Sequence, residues 1–266
     1  MSSVVLLRGL TREARHWGDF PRILQRQLPG ANLIALDLPG SGQCNHQRSP
    51  ARVHDIMEQC RSQLLAAAAP PPYLLVALSL GAMVAVAWAD RHPSELHGAV
   101  LINTSLRPIS TFYQRLRPRN YWPLLRAGLL GADIERREQL VLRLTSRRCA
   151  SDAGVLRDWI GIAQDRPVAR GTALRQLLAA ARFRAPTRRP DLPLLLLAGG
   201  GDTLVDPLCS RQLAARWRCA LAVQDEAGHD LPLDDGAWVA RQIGTWIAAE
   251  PALALALPPA PASGLG

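Results

Sequence analysis

The chain has 266 residues, 48% of them hydrophobic, which suffices for one full α/β domain with an inserted subdomain. Residues 1–10, MSSVVLLRGL, offer no basic leader and too short an apolar run for a signal peptide or a membrane span, so a soluble, cytoplasmic protein is expected. Five scattered cysteines without a C-x-x-C pair argue against a disulfide framework and a zinc site, and neither metal nor cofactor is expected.

Apolar runs at residues 4–7, 31–36, 73–78, 98–103, 192–198 and 220–224 read as strands. They are near-continuous rather than alternating, as in parallel strands covered on both faces. Helical spacing appears at 20–28, 51–68, 80–91, 209–218 and 237–249. Alternating strands and helices predict an α/β protein with a mostly parallel sheet of about six strands flanked by helices. Residues 105–188 break the rhythm with helical patches and no convincing strand. The expected organisation is a core first part at 1–104, a helical insertion at 105–188 and a core second part at 189–250. The Pro/Ala-rich residues 251–266 are expected to form a disordered tail.

The net charge of +9 comes from 31 arginines and no lysine against 22 acids. Residues 104–190 hold 18 arginines and six acids, whereas the remainder holds 13 arginines and 16 acids. A coding bias exchanges lysine for arginine but does not clear acids from one segment. Solvated, snorkelling arginines account for much of such a surface. The sharper reading is that Arg136, Arg137, Arg143, Arg147 and Arg148 form a face for an acidic carrier or a carboxylate-bearing substrate.

The stretch LLVALSLGAMVAVAWA, residues 74–89, passes from strand to helix through Ala77-Leu78-Ser79-Leu80-Gly81. A serine on such a turn stands at the carboxyl edge of the sheet, beside the free N–H groups of the helix start. Small residues two before and two after it let the two backbones cross, and Ala77 and Gly81 meet that need. Alone, the pattern also fits a structural serine bonded to a nearby carbonyl. The context is more specific. AGGGDTLVDP puts Asp202 after the fifth strand, and EAGHDLP puts His229 after the sixth. All three residues then share the sheet edge where open α/β folds form their crevice. Asp206, beside Pro207, is the rival acid and fits a helix cap. Asp37 fits a turn, and Asp230 and Asp234 fit the loop beside the histidine.

VVLLRGL, IALDLPGSGQ, ALSLG, GGGDTLVDP and AGHDLP, in this order, resemble the α/β-hydrolase superfamily over most of the chain. The nearest likeness is to carboxylesterases and carrier-protein methyl ester esterases. The resemblance implies Ser79 as nucleophile, His229 as general base and then acid, and Asp202 as the carboxylate that orients it. It also implies backbone N–H groups of Leu10 and Leu80 as oxyanion donors, and the helices at 105–188 as a lid. Ala77 departs from the usual glycine, and Arg8 from the histidine usual before Gly9. The first two strands of the family's sheet have no counterpart here. The implied substrate is a small-molecule carboxylic ester or thioester, with Trp17, Phe112, Tyr113, Trp122 and Trp159 as candidate pocket residues. The competing reading is a non-catalytic hydrolase-fold protein whose Arg-rich lid binds an acidic partner. Nucleic acid is not the expected partner, because aromatics at helical spacing usually pack in a core.

Overall fold

Strands built from unbroken apolar runs tolerate water on neither face and need helices on both. The computed structural model, which describes residues 3–129 and 133–257, meets that need. Its strands are β1 (Ser3–Leu7), β2 (Asn32–Leu36), β3 (Tyr73–Leu78), β4 (Leu96–Ile102), β5 (Leu194–Gly199) and β6 (Ala220–Gln224). Its helices are α1 (Phe20–Gln27), α2 (Val53–Ala66), α3 (Leu80–Arg91), α4 (Phe112–Arg115), α5 (Tyr121–Leu129), α6 (Ile134–Thr145), α7 (Ala153–Asp165), α8 (Arg170–Arg182), α9 (Leu208–Trp217), α10 (Leu231–Ala249) and α11 (Pro251–Ala256). The sheet order is β2-β1-β3-β4-β5-β6, and every pairing is parallel.

Alternate side chains of each strand enter opposite layers. Tyr73, Leu75 and Ala77 of β3 face a layer built with α2, α3 and α9. Leu74, Val76 and Leu78 face the other, built with α1, α10 and α11. Central strands β1, β3 and β5 are buried throughout, whereas the edge strands β2 and β6 are mostly half-exposed. In the register, Leu7 stands opposite Ala77, and Leu78 opposite Ile102. The loops that follow β1, β3 and β4 therefore leave the sheet at one common rim.

Helices α4 to α8 fill the chain between β4 and β5. The insertion's two ends meet at a single bridge between Arg107 and Arg184. Among the described residues, no helix is long and apolar enough to cross a membrane.

The tail departs from expectation at its start. Residues 251–256 form α11 rather than a disordered segment. Alanine and leucine are strong helix formers, and a proline suits the first helical position. Leu253 and Leu257, four residues apart, are both buried with Trp246 and Ile247. The rest of the expected tail, 258–266, lies outside the described residues.

Candidate active site

Ser79 sits between β3 and α3 with φ 57° and ψ −112°, a backbone conformation that costs a non-glycine residue strain. The turn is held because Ser79 N–H donates to the Ile102 carbonyl at 2.9 Å. Two residues on, a Cβ at Gly81 would press into the carbonyl oxygens of Leu7 and Arg8, the latter at 2.7 Å. Glycine at 81 is what lets α3 cross β1 so closely. Ala77 is fully buried, so the extra methyl of this sharp strand-to-helix turn, the elbow, is accommodated in the core.

Gly9 follows β1 and approaches the same serine: a Cβ there would lie 3.3 Å from Ser79 Cβ. Leu10 and Leu80, the next residue in each loop, both line the cavity that Ser79 lines. Among the described residues, neither backbone N–H donates to a protein acceptor. For Leu80 this follows from its place at the helix start.

Asp202 and His229 come together from the loops after β5 and β6. His229 Nδ1–H donates to Asp202 Oδ2 at 2.6 Å, both side chains being almost wholly buried. An ionised carboxylate only accepts, so this bond leaves Nε2 as the imidazole's free acceptor. The other oxygen of Asp202 accepts the N–H groups of Leu204 (2.8 Å) and Val205 (2.9 Å), which fixes the carboxylate's orientation. Burial disfavours the His229 imidazolium. The charge and hydrogen bond of Asp202, aided by Asp230, outweigh it, and the pKa is raised above 6.5. Ser79 and His229 line one cavity of about 1010 Å³. No hydrogen bond joins the Ser79 hydroxyl to His229 among the described residues.

The rival carboxylates are occupied elsewhere. Asp206 accepts the Leu208 N–H at 2.9 Å at the start of α9. Asp37 accepts from Ala14 and Gln43 and ties two loops together.

Of the five aromatics expected in the pocket, Phe112 and Tyr113 line it, packed edge to face at its exposed mouth. The other three do not. Trp17 is buried in the core against Phe20, with the Arg8 guanidinium 4.8 Å from its ring centroid. Trp159 is buried under Arg12, 4.3 Å from ring centroid to guanidinium. Trp122 is 62% exposed on α5. A turn at Ala14–Trp17 directs the first inward, and the packing phase of α5 and α7 decides the other two. The cavity's own apolar surface comes instead from residues such as Met83, Leu116, Leu124, Val141, Leu144 and Leu177.

Three further groups hold the site, none of them readable as a pattern. Arg8 donates to both oxygens of Asp230, at 3.0 and 2.5 Å, and so joins the turn before Leu10 to the residue after His229. This supplies a support for the loop after β1 where the family's usual histidine is missing. Asn103, at φ 47°, accepts from Gly199 N–H and donates to the carbonyls of Gly228 and His229. Asp234 accepts from Gly228 N–H, from the Ser146 hydroxyl and from the Arg147 N–H, which joins the histidine loop to the end of α6.

The expected arginine face is partly consumed inside the chain. Arg136 pairs with Asp133, Arg137 with Glu138, and Arg148 with Glu226 and Asp235. No group of three or more His, Cys, Asp or Glu able to hold a metal occurs among the described residues.

A model of the Alpha/beta hydrolase family matches residues 4–242. The chain belongs to the alpha/beta hydrolase family. This hydrolase is 27% identical to a pimeloyl-[acyl-carrier protein] methyl ester esterase of Serratia marcescens, over 80% of its own length and 81% of that protein's. It is 29% identical to the protein of the same name from Aromatoleum aromaticum, with coverage of 85% and 90%. Among solved structures it resembles a thermophilic esterase from Thermogutta terrifontis, with a TM-score of 0.73 at 20% identity, covering 94% of this chain and 90% of that one. It also resembles the enol-lactonase from Burkholderia xenovorans, with a TM-score of 0.75 at 16% identity, covering 93% and 91%. At these identities the structural likeness speaks for the fold.

Proposed function

We propose that this hydrolase is a serine esterase or thioesterase that works through an acyl-enzyme on Ser79. The observation that carries the reading is the 2.6 Å bond from His229 to Asp202 at the wall of a large apolar cavity that also exposes the elbow serine. With Nδ1 engaged by Asp202, Nε2 takes the Ser79 proton as Oγ attacks the acyl carbonyl. The oxyanion of the tetrahedral intermediate rests on the N–H groups of Leu10 and Leu80. His229 returns the proton to the leaving alcohol or thiol, and water repeats the sequence on the acyl-enzyme. The serine–histidine bond forms when substrate fills the cavity, since such bonds are commonly loose in the free enzyme.

The helices α4 to α8 act as a lid in this reading, because Phe112, Tyr113 and Leu177 line the cavity from that side. Ester substrates also accord with the names of the two relatives, which act on a carrier-borne methyl ester. Ser79→Ala is the test: hydrolysis of p-nitrophenyl butyrate should fall to the buffer rate. Retained activity would remove Ser79 from the mechanism.

A further inference from the structure

Two arginines of the cavity have no counter-charge among the described residues. Arg107 and Arg115 both line it, and neither lies within ion-pairing distance of a carboxylate among the described residues. The other two arginines of the same wall are neutralised, Arg8 by Asp230 and Arg12 by Glu138. Arg107 and Arg115 instead donate to the last carbonyls of α8. Arg115 reaches Ala180 O at 2.6 Å, and Arg107 reaches Ala181 O at 3.3 Å. A helix end offers only about half a negative charge, against two full positive ones. A charge withdrawn from water without a counter-ion is costly, and the half-buried guanidinium of Arg115 feels it. Burial, and then the charge of Arg107, lower its pKa from the usual arginine value. The Nε of Arg115 is buried without an acceptor. The surrounding wall is apolar, including Leu116, Leu177 and Ala181.

We infer that Arg107 and Arg115 form a subsite for an oxyanion carried by the substrate itself, at the far end of an apolar acyl chain whose ester reaches Ser79. The substrate class is thus an ester with an anionic tail, the tail being a carboxylate or a phosphate. This rests on the esterase reading above, and its test is arranged so that the two can fail separately. Three p-nitrophenyl esters of one chain length serve as substrates: the hexanoate, the hexanedioate monoester and the 6-phosphooxyhexanoate. A charge-assisted contact predicts a kcat/KM at least about tenfold higher for one or both anionic esters than for the hexanoate. That ratio should collapse toward unity in Arg107→Gln/Arg115→Gln and persist in Arg107→Lys/Arg115→Lys. Which anionic ester leads distinguishes carboxylate from phosphate. A wild-type ratio near one, or a ratio that survives the glutamine pair, overturns the subsite.

Calorimetry on Ser79→Ala keeps the question open to measurement should no ester be hydrolysed. Tighter binding of hexanedioate monomethyl ester or methyl 6-phosphooxyhexanoate than of methyl hexanoate supports the subsite even where the catalytic reading falls. Equal binding of all three overturns it.

Discussion

His229 is pulled two ways. Burial resists its charge, while Asp202, and Asp230 beyond it, favour the imidazolium strongly enough to raise its pKa from 6.5. In the proposed mechanism His229 is the general base and must be neutral, so activity is lost as pH falls through that raised value. The acid limb of kcat/KM for a neutral ester should therefore have its midpoint above pH 6.5. Asp202→Asn removes both the charge and the tautomer control. It should lower kcat on the order of ten-thousand-fold and move the limb to lower pH. Asp206→Asn should leave the pH profile in place, since that carboxylate accepts the Leu208 N–H at the start of α9 and does not touch His229. Arg8 and Asp230 give a second residue-level outcome. Breaking a buried pair strands one charge, at a cost of about 3–5 kcal/mol. Asp230→Asn should lose that much stability in urea denaturation, and the apolar pair Arg8→Met/Asp230→Leu should recover most of it. Equal stability of Asp230→Asn and wild type would show the pair to be slack.

At the scale of elements, the elbow depends on how closely α3 crosses β1. Gly81→Ala drives a methyl into the carbonyls of Leu7 and Arg8, backbone atoms that cannot swing aside. It should cost about 3 kcal/mol or more in stability, and activity with it. Circular dichroism in urea and p-nitrophenyl butyrate turnover measure the two. The helix α11 is a smaller case. Leu253→Ala should cost about 2–5 kcal/mol if that leucine packs as observed, and almost nothing if the tail were loose. The helical insertion was the least legible element. Its helical spacing marks segments, but the rotation of each helix is set by packing. Hence Trp159 turned inward beneath Arg12, Trp122 faced solvent, and the cavity received Leu124 and Leu144 instead.

Over the whole molecule, the sheet was readable because parallel strands must be apolar on both faces, and runs such as LLVAL and LLLLA say so directly. The placement of Ser79, Asp202 and His229 at one end of the sheet was readable because each follows a strand, at the rim where loops leave a parallel sheet. The bond from Arg8 to Asp230 spans 222 residues, and Asn103's bond to the His229 carbonyl spans 126, so no local pattern could announce them. Charge showed the same limit. The surplus of arginine was evident from counting, but only the fold reveals that Arg136, Arg137 and Arg148 are paired while Arg107 and Arg115 line the cavity with no carboxylate partner among the described residues.

The proposed mechanism requires a covalent acyl group at Ser79. Rapid quenching during turnover of a p-nitrophenyl ester, followed by mass spectrometry of the digested protein, tests it most directly. The prediction is a mass increase of one acyl group on the peptide containing Ser79, absent from Ser79→Ala and prolonged in His229→Gln if that variant acylates at all. Turnover with no adduct at Ser79, or an adduct on another residue, would contradict it.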